Sequence, residues 1–210
     1  MKGLFITLEG PEGAGKSTQI ELLSEYFNEC GYKVVTTREP GGTEVGNRIR
    51  KILLDSDLDN LESKTELLLY AASRAQHVIE VIKPELKKGK VVICDRFVDA
   101  TMAYQGFGRK LDKDLIQELN RLATGGLEPD LTFLLDIESE KGLLRTKGKA
   151  KDRIESEDLF FHQQVRNGYL KLAKEKSRFE VIDGSQDIKS VSASLIKSLE
   201  ARLEINEDSK

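Results

Sequence analysis

The sequence predicts a three-layer α/β/α fold in which a five-stranded parallel sheet is surrounded by helices. Two observations carry that prediction. Five short apolar runs, at 4–8, 33–37, 90–95, 131–136 and 178–182, alternate with segments of helical periodicity. Such alternation builds βαβ units, whose crossovers keep the strands parallel and cover both faces of the sheet. The first run also passes straight into a Gly-rich turn and then a helical pattern, the order found at strand 1 of doubly wound folds. Ligands of such folds collect beyond the carboxyl ends of the strands.

Taken in order, the first strand (4–8) is apolar and partly β-branched. The helix after it (16–30) places Ile20, Leu23 and Phe27 on one face. The second strand (33–37) leads to Pro40, Gly41 and Gly42, which break regular structure before a helix at 44–54. A long helix at 64–86 is apolar on nearly every side around Leu67–Ala75, so it is expected to be buried. The third strand (90–95) is followed by residues 99–109, a turn rich in Gly or a helix ending in one. Helices then fall at 112–124, 139–146, 157–174 and 188–203, with the last two strands between them. No repeat and no Pro/Ser-rich linker divides the chain, so residues 1–205 are expected to form one domain and the polar tail 206–210 to fray.

Composition narrows the functional classes. A net charge of −3 gives no overall attraction to nucleic acid or membrane. The longest apolar runs are about five residues, far short of a membrane span. Cys30 and Cys94 have no metal-ligand spacing, and two cysteines without a signal peptide suggest a reducing, cytoplasmic setting. His77 and His162 fall in helical runs and are expected to be structural.

The chemistry begins at Gly10-Pro11-Glu12-Gly13-Ala14-Gly15-Lys16-Ser17-Thr18. Gly10 to Ser17 match the phosphate-binding loop pattern G-x-x-x-x-G-K-[ST]. Its glycines let backbone N–H groups converge on phosphate oxygens, and the following helix points its positive end at them. Lys16 is expected to reach the β- and γ-phosphates of a nucleoside triphosphate, and the Ser17 hydroxyl to sit on Mg²⁺. Asp95 ends an apolar strand and is the expected second Mg²⁺ anchor. Arg96 emerges beside it, where a guanidinium suits a phosphate. Arg38 ends strand 2 and could grip a phosphate, with Glu39 orienting it; a surface Arg–Glu pair is the plainer alternative.

Tyr70 and Arg74 share a helix face, a plausible platform for a nucleobase. A buried Arg74 needs a partner, either Glu66 or a ligand. Thr101 and Gln105 could bond a base edge, Tyr104 could bracket a sugar, and Gly106 and Gly108 allow close backbone approach. Residues 141–153 hold six cations and one anion, which fits a mobile basic flap closing over phosphates or a solvated charged loop. Phosphoryl transfer calls for a cation beyond Lys16, and the loop itself supplies none.

Taken together, Leu8-Glu9-Gly10 through Thr18, Thr37-Arg38-Glu39-Pro40-Gly41-Gly42-Thr43, Ala71-Ala72-Ser73-Arg74, Asp95-Arg96-Phe97 and Ala103-Tyr104-Gln105-Gly106 resemble bacterial thymidylate kinases. The blocks occur in that family's order, over about residues 3–185. The resemblance implies a P-loop kinase fold, ATP and dTMP as substrates, Mg²⁺ as cofactor and a homodimer. It implies that Arg38 and Arg96 hold the dTMP phosphate and that Tyr70 stacks on thymine. Arg74 would read a thymine carbonyl, with Thr101 and Gln105 near the base. Tyr104 would crowd the 2′ position, Glu12 would meet the 3′-hydroxyl and Asp95 would help place Mg²⁺. One subclass of the family carries an arginine in the phosphate loop; in the other, as here, the lid (141–155) carries it. The string Asp152-Arg153-Ile154-Glu155 matches the lid motif, so Arg153 is the expected cation on the transferred phosphoryl. Arg145 matches the residue that packs near adenine. Much of this lid is lysine, which leaves the division of labour among Arg145, Lys147, Lys149, Lys151 and Arg153 open. The rival readings are another P-loop kinase, such as one acting on deoxynucleosides, and a nucleotide-binding switch module.

Overall fold

A computed structural model describes residues 3–58, 60–148 and 151–203. Five strands, β1 (Leu4–Glu9), β2 (Val34–Arg38), β3 (Val91–Asp95), β4 (Leu131–Asp136) and β5 (Phe179–Asp183), form one sheet in the order β2-β3-β1-β4-β5. All four pairings are parallel. β1 lies at the centre, paired with β3 through Leu8↔Asp95 and with β4 through Glu9↔Leu134. β2 ends level with β3, through Arg38↔Asp95. The phosphate loop, Arg38 and Asp95-Arg96 therefore leave the sheet at the same edge, which is where the strand order makes a crevice.

Both faces of the central strands are apolar, as helices on both sides require. On one face Ile6, Leu8, Phe133 and Leu135 pack under α1 (Lys16–Glu29) and α9 (Ile188–Leu203), through Ile20, Leu23, Leu195 and Leu199. On the other face Phe5, Val92 and Cys94 meet Val78, Ile82 and Phe97. Leu134 and Phe179 meet Val165, Tyr169 and Leu172 of α8 (Leu159–Glu175).

Local chemistry sets the helix ends. α2 (Glu44–Leu54) starts where the Thr43 hydroxyl accepts the Gly46 N–H at 2.9 Å. The Asp112 carboxylate caps α6 (Lys113–Thr124), which ends in a left-handed Gly125. Asp158 caps α8. In contrast α1 begins at a left-handed Gly15 (φ 89°), with no side-chain cap and no acidic residue in its first turn. Its first N–H groups are thus left for a ligand.

The long helix expected at 64–86 is interrupted. α3 (Ser63–His77) gives way to a π-helical turn, Val78–Ile82, before α4 (Lys83–Lys87). Pro84 supplies the reason: it has no N–H for the carbonyl four residues back, and a wider turn absorbs the missing bond. Residues after β3 are also helical. α5 (Val98–Thr101) runs into a second π-helical segment, Met102–Gly108, before α6. The expected tail 206–210 and Lys149 lie outside the described residues. α7 (Ser139–Arg145) opens the lid stretch.

Candidate active site

The carboxyl edge of the sheet opens into a cleft of about 470 Å³. Its floor is the phosphate loop, from Glu12 to Thr18. Gly10 and Pro11 stand behind that surface, and their carbonyls accept hydrogen bonds from the Lys16 ammonium at 3.1 and 3.0 Å. Burial, and Arg96 nearby, lower the Lys16 pKa. Ser17 and Thr18 are exposed at the mouth of α1. Gly13 (φ 71°) is pressed against α7, where a Cβ would lie 2.1 Å from the Gly142 carbonyl oxygen. Loop and lid base therefore meet at two glycines, an approach that any side chain would block.

Arg96 is the centre of the opposite wall. It adopts the left-handed region (φ 66°), unusual for a residue with a Cβ. Two neighbours hold it there. The Arg96 N–H donates to the Leu8 carbonyl at 3.0 Å, and the Phe97 N–H donates to Glu9 Oε1 at 2.7 Å. Glu9 also accepts from the Tyr169 hydroxyl, and its burial, reinforced by Asp99, raises its pKa to about 8. The Arg96 guanidinium donates to the Gly10 carbonyl, the Tyr169 hydroxyl and, at 2.5 Å, to Glu12. Tyr104, whose ring lies under that guanidinium, donates its hydroxyl to the same Glu12 oxygen at 2.9 Å. Burial alone would raise the Glu12 carboxyl. Arg96 and Lys16 more than offset it, and the pKa falls to about 2. Glu12 is thus an anionic acceptor inside a phosphate site, kept so by its own arginine.

Arg38, Tyr70, Arg74, Thr101 and Gln105 all line the cleft. Tyr70 is half-buried, and its phenol stays neutral because burial, with Glu66 nearby, raises its pKa. Thr101 Oγ1 and Asp95 Oδ1 are buried without a protein partner. Both are groups that a ligand can satisfy. Tyr104 and Gln105 sit side by side in the π-helical segment, whose extra residue per turn lets neighbours in sequence share the cleft wall.

Three expectations need correcting. The partner of Arg74 is Glu39 (Nε to Oε2 2.7 Å), with Asn120 and the Phe97 carbonyl, and Glu66 serves other groups. Glu39 consequently orients Arg74 rather than Arg38, and its second oxygen meets His77 Nδ1 at 3.0 Å. Both changes have one cause. The turn at Glu39–Pro40 brings that carboxylate back over α3 from 35 residues away, nearer than a residue two turns along the helix. Gly108 allows the expected close approach, of the Phe161 ring, 2.5 Å from a notional Cβ. Finally, Arg153 is outside the cleft. Its guanidinium donates to Glu66 at 2.5 Å and to the Leu53 carbonyl at 3.1 Å, beside a second hollow of about 290 Å³. Its lid neighbours Asp152, Ile154 and Glu155 do line the cleft. Arg145 also lines it, fastened to the Gly184 carbonyl at 2.7 Å and the Ser185 carbonyl at 3.0 Å.

One charged cleft residue was not foreseen. Arg50, on α2, donates to the Pro40 carbonyl at 2.9 Å and stands close enough to Arg38 that burial and that like charge lower its pKa. Nothing local separates it from Arg48 and Lys51 on the same helix; only the turn at Pro40 brings it in.

The residues also suit Mg²⁺. A hydroxyl (Ser17) and one buried carboxylate oxygen without a partner (Asp95) are the sparse donor set that this ion takes beside a nucleotide, keeping several waters. Among the described residues no cluster of three or more acidic, His or Cys side chains offers an all-protein cage.

Comparison with known proteins points to one family. The thymidylate kinase family model matches residues 8–195. A thymidylate kinase from Geotalea uraniireducens is 52% identical over 96% of this chain and 98% of its own. One from Halothermothrix orenii is 52% identical over 89% and 91%. The crystal structure of thymidylate kinase from Ehrlichia chaffeensis superposes with a TM-score of 0.77, at 38% identity, over 95% of this chain and 99% of that one.

Proposed function

The chain belongs to the thymidylate kinase family, and on that footing we propose how its cleft carries out ATP-dependent phosphorylation of dTMP to dTDP. The observation that carries the site reading is the pairing of two anion sites in one cleft. One is the uncapped N-terminus of α1 with Lys16; the other is the cluster Arg38, Arg50 and Arg96. A nucleoside acceptor brings no phosphate for the second site, and a switch module needs none.

The loop N–H groups and Lys16 hold the β- and γ-phosphates of ATP, Arg145 lies against adenine, and Ser17 and Asp95 hold Mg²⁺. When bound, the ion neutralises charge on the phosphate oxygens. Arg38, Arg50 and Arg96 hold the dTMP phosphate. Its oxygen is already anionic at neutral pH, so no strong general base is needed and positioning with charge stabilisation suffices. Glu12 accepts from the 3′-hydroxyl, Tyr104 fills the 2′ side, Tyr70 stacks on the base, and Arg74, Thr101 and Gln105 face its edge. The catalytic unit spans residues 1–205, with the lid at 141–155 within it. Steady-state assays with ATP, Mg²⁺ and a panel of acceptors test the reading. dTMP is expected to exceed dCMP, GMP and thymidine; equal turnover of thymidine would remove the role given to the arginines.

The enzyme acts as a homodimer through the face formed by α3, the π-helical turn after it and α6. Leu68 on α3 (56% exposed), Ile79 on the π-helical turn that follows it (69%) and Leu122 on α6 (79%) are apolar side chains left uncovered. Large apolar side chains exposed on elements that pack against one another offer such an interface. Sedimentation at micromolar concentration is expected to give a dimer, and Leu122→Asp a monomer; a wild-type monomer would exclude it. No helix among the described residues is long and apolar enough to cross a membrane, and both cysteines are free. We place the protein in the cytoplasm.

A further inference from the structure

Glu66 has no part in the reaction as set out above, yet it is the most heavily used carboxylate in the structure. It lies on α3, fully buried, and collects donors from three residues in two other places, the π-helical segment with its end and the lid. Its Oε1 accepts from Gln105 Nε2 at 2.7 Å and, at a longer 3.4 Å, from Arg109 Nε. Its Oε2 accepts from Arg153 Nη2 at 2.5 Å and Arg109 Nη2 at 3.3 Å.

The contact with Gln105 has a chemical consequence. An amide can turn either its oxygen or its nitrogen toward a neighbour. A carboxylate accepts only, so Glu66 admits the nitrogen and excludes the oxygen. The oxygen of Gln105 is then the end left for the cleft that this side chain lines. Arg74, on the same wall, can only donate. The wall therefore presents a fixed donor and a fixed acceptor. Thymine carries the complement on adjacent positions, an acceptor at O4 and a donor at N3–H. Cytosine carries the reverse, an amino donor at C4 and an acceptor at N3.

We infer that Glu66 is a positioning residue that sets pyrimidine selectivity by locking the Gln105 amide with its oxygen toward the base. The inference rests on the proposed reading of Arg74 and Gln105 as base-edge contacts. Glu66→Gln is nearly isosteric and turns the lock around. Arg153, at 2.5 Å from Oε2, demands oxygen at that position, so the new nitrogen takes the Oε1 position facing Gln105 and gives up only the long 3.4 Å contact with Arg109 Nε. The Gln105 amide then rotates, gives its oxygen to residue 66 and shows its nitrogen to the base. That arrangement opposes N3–H of thymine and suits N3 of cytosine.

The test compares Glu66→Gln and Gln105→Leu with wild type in kcat/KM for dTMP, dUMP and dCMP. For Glu66→Gln the dTMP-to-dCMP ratio is expected to fall about 10- to 100-fold, as when a buried polar group meets the wrong partner. The dTMP-to-dUMP ratio is expected to stay put, because uracil and thymine share the same edge. A merely structural loss would weaken all three acceptors alike and leave both ratios unchanged, which overturns the inference. If Gln105→Leu lowers the dTMP-to-dCMP ratio and Glu66→Gln does not, the lock fails while the base reading stands. If neither does, the base reading fails and the lock with it. Should Glu66→Gln not fold, proton exchange at the Gln105 side-chain amide of the wild type decides. Protection before dTMP is added supports the lock; exchange at the rate of an exposed amide overturns it.

Discussion

Replacing Arg96 with methionine is expected to lower kcat/KM for dTMP by about 10²- to 10³-fold, with KM for ATP changed far less. The size follows from truncating one member of a buried charged network, about 2–5 kcal/mol, at about 1.4 kcal/mol per decade. Arg96 serves three ends at once. In the proposed reading it holds the acceptor phosphate; in the structure it neutralises Glu12 and closes the chain from Gly10 through Tyr169 to Glu9. Methionine keeps the packing over Tyr104 and removes all the donors. Lysine keeps a charge but not the fork, so it should recover only part of the activity. Steady-state kinetics with each substrate varied in turn would check this. An equal rise in both KM values would mean that Arg96 supports the cleft as a whole and does not address the acceptor.

Neutralising the lid lysines is expected to have the other large effect. Lys147→Met, Lys149→Met and Lys151→Met together should lower kcat by about 10³-fold, the scale of a cation supplied to a transferring phosphoryl group. Arg153→Met should cost less than about tenfold, well short of that scale. The division follows from what each cation already does. Arg153 is spent on Glu66 and the Leu53 carbonyl, and Arg145 on the carbonyls of Gly184 and Ser185. Lys147 and Lys151 are exposed and, among the described residues, have no ion pair. Single-turnover rates would separate the chemical step from product release. A loss near 10³-fold for Arg153→Met alone would show that its guanidinium leaves Glu66 when the lid closes, and would return the role to it.

Much of this protein is written locally. The five strands, the central phosphate loop and the bare start of α1 follow from apolar periodicity, glycine spacing and the missing cap, each readable within a few residues. Arg38, Asp95, Arg96, Tyr70 and Gln105 were recognisable because each stands at a strand end or on a helix face whose direction the pattern already sets. The interruption near Pro84 was also within reach, since a proline inside a helical run removes a bond wherever it occurs.

The partners were not. Glu39 crosses to Arg74, Arg153 to Glu66, and Arg50 enters beside Arg38, each through a turn that joins residues far apart in sequence. A charged side chain carries no mark of which opposite charge it will meet. Several acids and bases here satisfy any local rule equally well, and burial penalises every arrangement that leaves one unpaired. Local sequence was enough for the fold and for most of the side chains at the cleft edge, though not for Arg50 or Arg153. Only the tertiary structure decided which of those charges are committed to one another and which remain for substrate, because pairing is settled by distances that packing creates.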